Sequence, residues 1–422
     1  MEKLFSDFTS TNAQAWKEQI IKDLKGIDFN TLIWKTNSGI DVKPFYTSED
    51  VQLTNEPNAI NIDWSICEYI QVDDEAIANA KALNALQNGA SGLVFKISKK
   101  TNFEKLCDGI LFEYIYSLFE ISIECEEDLI QFLKSKNYEK HCFIDIDETV
   151  KGKINVQHFN GKLSINTSIY NESGATILNQ LAFSIAHINE YLTELTALNK
   201  LKELHSLHIT AAIGGDFFME ISKVRALRNL THFLLKQYDC NPEIHIHAQT
   251  TLINKTQMDM YNNLLRSTTE TMSASIGGAN SIVVFPFDFH INPDNDFSSR
   301  MARNQQLILK DESYLNKVSD IAAGSYFIET ITKTLCEKAW DIFKDIEEKG
   351  GLINSLKLNY IQTIIKSDAQ QLINDFNDGK LILVGVNKFQ NKSEEPKTSI
   401  HAHIENVTQS MAIQPIKALR LA

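Results

Sequence analysis

Short apolar runs alternate with longer helical segments from residue 76 onward, and this alternation is the feature that most restricts the fold. The runs are rich in β-branched residues and read GLVFKIS at 92–98, CFIDI at 142–146, LHITAAIG at 207–214, EIHIHAQT at 243–250 and SIVVFPFD at 281–288. Strands that are apolar on both faces and are joined by helices are typical of a parallel sheet. Seven or eight such units favour an α/β protein with a (β/α)8 TIM-type barrel over an open sheet.

The pattern divides the chain into three expected regions. Residues 1–75 are expected to form an N-terminal arm and linker, because a helix at 13–25 is followed by extended segments that Gly39 and Pro44 interrupt. Residues 76–335 are expected to form the barrel core, and residues 336–422 to form C-terminal helices and a wrapping tail.

Three segments carry more specific predictions. Residues 101–117 have helical periodicity and are predicted to form a helix, and LILVGVNKF at 381–389 is predicted to form a short strand. Residues 151–170 contain two strand-like pieces around Gly161, which indicates a hairpin that leads into another barrel strand.

Composition narrows the class of partner. The chain has 41 basic and 54 acidic residues and a net charge of −13, which argues against a nucleic-acid partner. Its six cysteines are widely spaced and form no CxxC pair, as expected for reduced thiols in a cytoplasmic protein. Neither a signal peptide nor an apolar run of membrane-spanning length is present, so we expect no membrane partner.

Three polar residues occupy one face of the run at 243–250. His245, His247 and Gln249 alternate with apolar residues, so their side chains point to the same side of the strand. In a barrel, the carboxyl ends of strands face the active-site mouth, which makes these residues candidates for a functional site. Buried histidines that are satisfied by neighbouring hydrogen-bond partners are the structural alternative. A metal site is not expected, because no carboxylate accompanies the histidines at ligand spacing.

Several longer segments resemble the methylmalonyl-CoA mutases. IHIHAQTTLINKTQMDMYNNLLRSTTETMSASIGGANS at 244–281 is similar to a family segment that runs Arg-Thr-His-x-Gln-Thr, then Tyr-Asn-Asn, then Gly-Gly. RMARNQQLILKDESYLNKVSDIAAGSYFIETIT at 300–332 resembles the Arg-x-Ala-Arg-Asn-x-Gln-Leu and Ala-Gly-Ser-Tyr blocks. YNESGAT at 170–176 and FFMEISKVRALR at 217–228 match as well, and the N-terminal WKEQIIKDLKGIDF resembles the small subunits of the family.

The resemblance implies adenosylcobalamin-dependent chemistry, but several parts of an active subunit are missing. Active members carry an Asp-x-His-x-x-Gly cobalamin motif on a domain after the barrel, and the nearest match here, Asp288 to Pro293, lacks the glycine and lies inside the barrel. A tyrosine that contacts substrate and corrin has no counterpart near the start of the barrel. Ser206 stands where a carboxylate-binding arginine is expected, and His245 replaces a second arginine.

Some family positions are retained. His247 aligns with the histidine that hydrogen-bonds the thioester carbonyl in active members, and Gln249 follows it. Gly278 and Glu312 fall where active members meet the cofactor. We expect these four residues to be relics of a catalytic site. A phenol or guanidinium from elsewhere in the chain, filling the missing positions around His247, would contradict this interpretation.

Two arginine pairs have alternative explanations. Arg225 with Arg228, and Arg300 with Arg303, are candidate ligands for the phosphates of an acyl-CoA. Each pair also has the helical spacing of three that a paired or solvated helix face requires, and we favour this structural explanation.

The resemblance therefore predicts the non-catalytic small subunit of a heterodimeric mutase, with adenosylcobalamin bound by the large subunit and none on this chain. Trp16, Trp34, Phe45 and Tyr46 are the expected apolar contacts of the arm with the large subunit. One alternative is a catalytic acyl-CoA mutase barrel whose cobalamin domain is a separate chain. Another is an acyl-CoA-binding protein that has no mutase partner.

Overall fold

A computed structural model of the protein describes residues 11–51, 63–146, 156, 159–292 and 295–391. Eight parallel strands form one sheet, namely β3 (Ser65–Gln71), β4 (Gly92–Ile97), β5 (Tyr116–Ile121), β6 (Cys142–Asp145), β7 (Lys162–Asn166), β8 (Ser206–Ile213), β9 (Glu243–Thr250) and β10 (Ser281–Val283). They lie in the order β6-β5-β4-β3-β10-β9-β8-β7 and curl into a nearly closed barrel, which confirms the predicted (β/α)8 architecture.

Helices connect most successive strands and cover the outside of the sheet. The helices up to the last barrel strand are α1 (Ala13–Asp23), α2 (Glu75–Gln87), α3 (Phe103–Leu106), α4 (Glu126–Lys136), α5 (Ser168–Glu172), α6 (Ile177–Ala197), α7 (Phe217–Gln237) and α8 (Asn262–Gly277). Those that follow it are α9 (Asp296–Leu307), with a π-helical turn at Ile308–Glu312, then α10 (Tyr326–Glu348), α11 (Gly351–Lys357) and α12 (Tyr360–Asn377).

Two barrel strands lie where the sequence predicts something else. β3 pairs with β4 and β10, so the sheet starts at Ser65, inside the region that was assigned to the arm. The predicted helix at 101–117 is wrong, because the segment forms the short helix α3, a 3-10 turn and the start of β5. Gly109 has φ +72°, and this left-handed conformation stops the helix that the apolar spacing suggests. The apolar residues of the segment serve a buried cluster instead of a helix face.

The two ends of the chain differ from the barrel. In the arm, β1 (Trp34–Lys35) and β2 (Asp41–Val42) form an antiparallel pair. The predicted strand at 381–389 contains only an isolated bridge from Val384 to Lys388. The first part of the expected hairpin and the wrapping tail from residue 392 lie outside the described residues, as do 1–10 and 52–62 of the expected arm.

Three of the four apolar clusters among the described residues include the barrel strands. The largest packs β7–β10 against α6, α7 and α10–α12, and a second packs β3–β6 against α2–α4. The third lies inside the barrel and is formed by Cys67, Val94, Tyr116, Leu118, Val283 and Phe285. Within the described ranges, the helices are all too short or too polar to cross a bilayer.

Candidate functional site

The lumen of the barrel contains a stack of aromatic and imidazole rings. The ring of Tyr116 on β5 lies 4.9 Å from that of His245 and 5.4 Å from that of His247, with interplanar angles of 8° and 14°. His208 on β8 lies 4.5 Å from Phe143 on β6, also in a stacked arrangement. Side chains from opposite walls therefore meet at the barrel axis, and we call these five residues the lumen stack.

Hydrogen bonds hold the lumen stack in place. The Tyr116 hydroxyl lies 2.7 Å from Nε2 of His208, whose Nδ1 lies 2.9 Å from the Ser164 hydroxyl. The Ser281 hydroxyl contacts both Nε2 of His245, at 2.9 Å, and Nδ1 of His247, at 2.7 Å. Nε2 of His247 is buried and has no hydrogen-bond partner in the described structure.

Burial determines the protonation state of the stack. Desolvation lowers the pKa of His245 and His247 to about 3, and it holds the pKa of His208 well below its usual range with a contribution from the two neighbouring imidazoles. Desolvation likewise raises the pKa of the Tyr116 phenol. At neutral pH the stack is therefore uncharged, and it provides neither a cation for a carboxylate nor an ionised phenol.

Apolar side chains close the lumen on the side of the strands' carboxyl ends. Phe285 follows β10 and belongs to the apolar cluster inside the barrel. Leu252 follows β9 and packs against this cluster. Tyr69 and Phe289 contact Phe285 edge-on or tilted, with ring centroids 5.0 Å from it in both cases. His247 is consequently 0% exposed. The residues present do not leave room for a corrin and an acyl-CoA to meet at His247.

The sequence-predicted site residues are divided between the two ends of the barrel. His247 and Gln249 lie towards the carboxyl end of β9, whereas His245 lies near its amino end. Gly278 caps α8 just before β10 begins, and its carbonyl accepts a hydrogen bond of 2.8 Å from Arg228. Glu312 ends the π-helical turn, where Lys310 contacts the carbonyl of Trp64 at the amino end of β3. The structure thus does not bring Gly278 and Glu312 together with His247.

Three of the four candidate CoA-binding arginines are buried and already bind other groups of the protein. Arg225 forms ion pairs with Asp320 and, at 2.9 Å, with Glu329. Arg228 donates to backbone carbonyls, and Arg303 pairs with Glu68 at 2.9 Å. The remaining one, Arg300, lies over the ring of Phe297 at 5.7 Å. These contacts support the structural explanation of both arginine pairs.

The Asp288 segment also has a structural role. The Asp288 carboxylate accepts a hydrogen bond of 2.8 Å from Asn295, and Nε2 of His290 lies 3.3 Å from the carbonyl of Leu252. The first contact lies within the loop between β10 and α9, and the second ties this loop to the one after β9. Pro293 lies outside the described residues.

Two buried ion pairs near the carboxyl ends of β8 and β9 were not identified from the sequence. Lys255 contacts both carboxylate oxygens of Glu270, at 2.8 and 2.9 Å, and the amide of Asn254 donates to the same carboxylate. Lys223 pairs with Glu220 at 2.5 Å and donates to the carbonyl of Ala212. Lysines that are this deeply buried have no sequence signature, because helix α7 and the loop after β9 look amphipathic or polar.

Tyr116 was also missed, because its segment was predicted to be a helix. Its position at the start of β5, opposite β9, depends on the closure of the barrel. No described group of histidine, cysteine and carboxylate side chains could hold a metal ion, and the three lumen histidines bond to hydroxyls instead.

Comparison with known proteins identifies a related family. The sequence profile of the family described as Methylmalonyl-CoA mutase matches residues 143–422. The methylmalonyl-CoA mutase small subunit of Porphyromonas gingivalis is 32% identical over 100% of this chain and 78% of its own length. The methylmalonyl-CoA mutase of Rhizobium meliloti is 27% identical over 92% of this chain, but only 65% of its own length is covered. The large subunit of the Porphyromonas gingivalis enzyme is 31% identical over 57% of this chain and 34% of its own length.

Proposed function

The chain belongs to the methylmalonyl-CoA mutase family, and we propose that it is the non-catalytic small subunit of a heterodimeric member, in which the large subunit interconverts methylmalonyl-CoA and succinyl-CoA. The similarity of this chain, over 100% of its residues, to 78% of a small subunit supports this role. The existence of a large and a small subunit in Porphyromonas gingivalis supports a heterodimer with a large subunit.

The filled lumen is the observation that carries the proposal. The family position of the carbonyl-binding histidine is kept at His247, yet Tyr116 stacks on it and Leu252 and Phe285 close the space towards the mouth. A substrate would have to displace several buried apolar side chains, each worth about 1.5–3 kcal/mol of burial. Adenosylcobalamin, when bound by the large subunit, supplies the radical chemistry. This chain's residues contribute a rigid barrel and an interface.

The arm offers the surface for the partner. Trp34 is 46% exposed and Phe45 is 50% exposed, and the ring of Trp16 packs against Phe45 at 4.7 Å. Helix α1 has no buried residue, so its apolar side chains are available for a second chain. Tyr46 differs from the other three predicted contacts, because it is buried and packs on Phe327 at 5.3 Å. We therefore assign Trp16, Trp34 and Phe45 to the interface and Tyr46 to the attachment of the arm to the barrel.

Activity of the co-expressed heterodimer tests the proposal. His247→Ala in this chain is expected to leave the turnover of methylmalonyl-CoA within about twofold of wild type, since only groups that contact the reacting atoms lower kcat strongly. The matched change of the large subunit's thioester histidine should abolish turnover. Trp34→Ala is expected to weaken assembly by about 2 kcal/mol. A large loss of kcat in His247→Ala, with assembly intact, would disprove the non-catalytic role.

One observation favours a second candidate, a catalytic barrel that works with a separate cobalamin-binding chain. The ring centre of Tyr116 lies 5.4 Å from that of His247, although the family's tyrosine has no recognisable counterpart in the sequence near the start of the barrel. We favour the non-catalytic role because Tyr116 is buried and its hydroxyl is engaged by His208. Tyr116→Phe removes the hydroxyl alone. Turnover with a separate cobalamin-binding chain and no large subunit, together with its loss in Tyr116→Phe, would establish the catalytic alternative.

A further inference from the structure

The barrel wall has a seam between β6 and β7. These are the two edge strands of the sheet, and no ladder of backbone hydrogen bonds joins them in the described structure. A cavity of about 280 Å³ opens at this seam. Ile130 and Leu133 of α4 line it on one side together with the acidic residues Glu126 and Glu139, and Phe143 and Ser164 line it where it meets the lumen stack.

The ammonium group of Lys162 lines the same cavity and crosses the seam. It donates hydrogen bonds to the carbonyls of Lys140 and Cys142, the latter at 3.3 Å, and it lies 4.9 Å from the centre of the Phe143 ring. Among the described residues no carboxylate forms an ion pair with it. The two carbonyls use two of the three ammonium protons, so one donor is left for a further acceptor.

Lys162 is partly buried, and removal of a charged group from water costs free energy. Removal of Lys162 from water lowers its pKa, with Cys142 and Glu243 acting in the opposite direction. An ionised acceptor in the cavity would recover the lost solvation by a charge-assisted hydrogen bond. The side chains of Ile130, Leu133 and Phe143 would at the same time accept an apolar group.

We propose that the seam cavity is a binding site for a small organic anion, a carboxylate on a short aliphatic chain, whose carboxylate accepts a hydrogen bond from Lys162. The cavity is close to the lower limit of about 300 Å³ for ligand pockets, which favours a short chain over a cofactor-sized molecule. The site lies in the barrel wall and does not require the proposed subunit role.

Calorimetric titration of the full-length chain with hexanoate tests this site. Wild type is expected to bind hexanoate saturably, and Lys162→Met to bind at least about tenfold more weakly, because the side chain keeps its length and loses its charge. Lys202→Met, which removes an exposed lysine outside the cavity, is the matched control and should bind like wild type. Hexylamine, which reverses the charge of the head group, should not bind.

A second variant keeps the test valid if the loss of the seam contacts of Lys162 prevents folding. Ile130→Trp fills the cavity from the partly exposed side of α4 and leaves the Lys162 hydrogen bonds intact, so it should abolish hexanoate binding without lowering the melting temperature. Absence of hexanoate binding to wild type at 10 mM, a concentration about tenfold above a millimolar Kd, would overturn the proposal. Unchanged binding in both Lys162→Met and Ile130→Trp, or equal binding of hexylamine, would overturn it as well.

Discussion

The two halves of the barrel are stabilised in different ways. In the first half, β3–β6 pack against α2–α4 through an apolar cluster that includes Phe95, Phe119 and Leu129. In the second half, β7–β10 and their helices add two ion pairs whose side chains are all at most 4% exposed, the Lys223–Glu220 and Lys255–Glu270 pairs. The three lumen histidines also belong to this second half.

The difference coincides with the range of the family match. An apolar cluster accepts many residues of similar size, because total volume and pattern matter more than identity. A buried charge or imidazole needs a specific partner, so identity is fixed on both sides. The family profile accordingly matches residues 143–422, which contain the second half, and not the segment that holds β3–β5.

The largest expected effect is the removal of one partner of a buried ion pair in the second half. Lys255→Met leaves the Glu270 carboxylate buried with only Asn254 as a donor, and the free energy of unfolding should fall by about 3–5 kcal/mol. Denaturation with urea measures this loss. The double variant Lys255→Met, Glu270→Leu removes both charges and should recover most of the stability. A double variant less stable than the single one would show that the pair does not behave as a charge-compensated unit.

Truncation of a buried apolar side chain in the first half should lower the free energy of unfolding by less, and a second truncation should not restore it. Leu129→Ala removes a fully buried side chain of α4 and should cost about 3 kcal/mol through lost burial and a residual cavity. A second deletion in the same cluster, Leu93→Ala, should lower stability further. Recovery of stability in this double variant would remove the contrast between the two halves.

The lumen histidines should make the second half sensitive to acid. His247 has a folded pKa of about 3 and an unfolded pKa of about 6.5, so below pH 6.5 protons bind to the unfolded chain and not to the folded one. Stability is therefore complete above pH 6.5 and is lost as the pH falls towards 3. At pH 5 this single group should cost about 2 kcal/mol.

Urea denaturation at pH 7 and pH 5 checks the contribution of His247. The variant His247→Leu should show a loss between the two pH values that is about 2 kcal/mol smaller than in wild type. Phe143→Leu changes the packing of the lumen stack without removing a titrating group, so its loss should equal that of wild type. An unchanged pH dependence in His247→Leu would mean that the imidazole binds a proton as readily in the folded state as in the unfolded state.

The fold could be predicted from the sequence wherever one period dominates a segment. Strands β8 and β9 coincide closely with the apolar runs at 207–214 and 243–250, because short β-branched runs and longer helical segments follow one another there. β3 and β5 were missed because Ser65–Gln71 follows an ambiguous linker and because the residues before Tyr116 have helical spacing. In both cases, pairing with distant strands decides the structure.

The site could be predicted only on one wall of the barrel. The alternation of His245 and His247 correctly placed them on one strand, because a strand has a period of two. Their neighbours Tyr116 and Phe143 come from β5 and β6 and precede both histidines by more than a hundred residues. Such contacts depend on the curvature and register of the closed sheet, which local patterns do not specify.

The smallest expected effect concerns Gly109, which interrupts the helix predicted for residues 101–117. Gly109 has φ +72°, and a Cβ atom there would meet only Leu83, at 3.9 Å, so backbone strain is the sole cost of a side chain. Gly109→Ala should lower the free energy of unfolding by about 1 kcal/mol, and Gly109→Asn by less, because asparagine tolerates the left-handed region better. Thermal unfolding of both variants measures the difference. If Gly109→Ala were instead as stable as wild type, the segment 101–117 could relax towards the helix that its spacing predicts, and the first half would owe its strand β5 to packing alone.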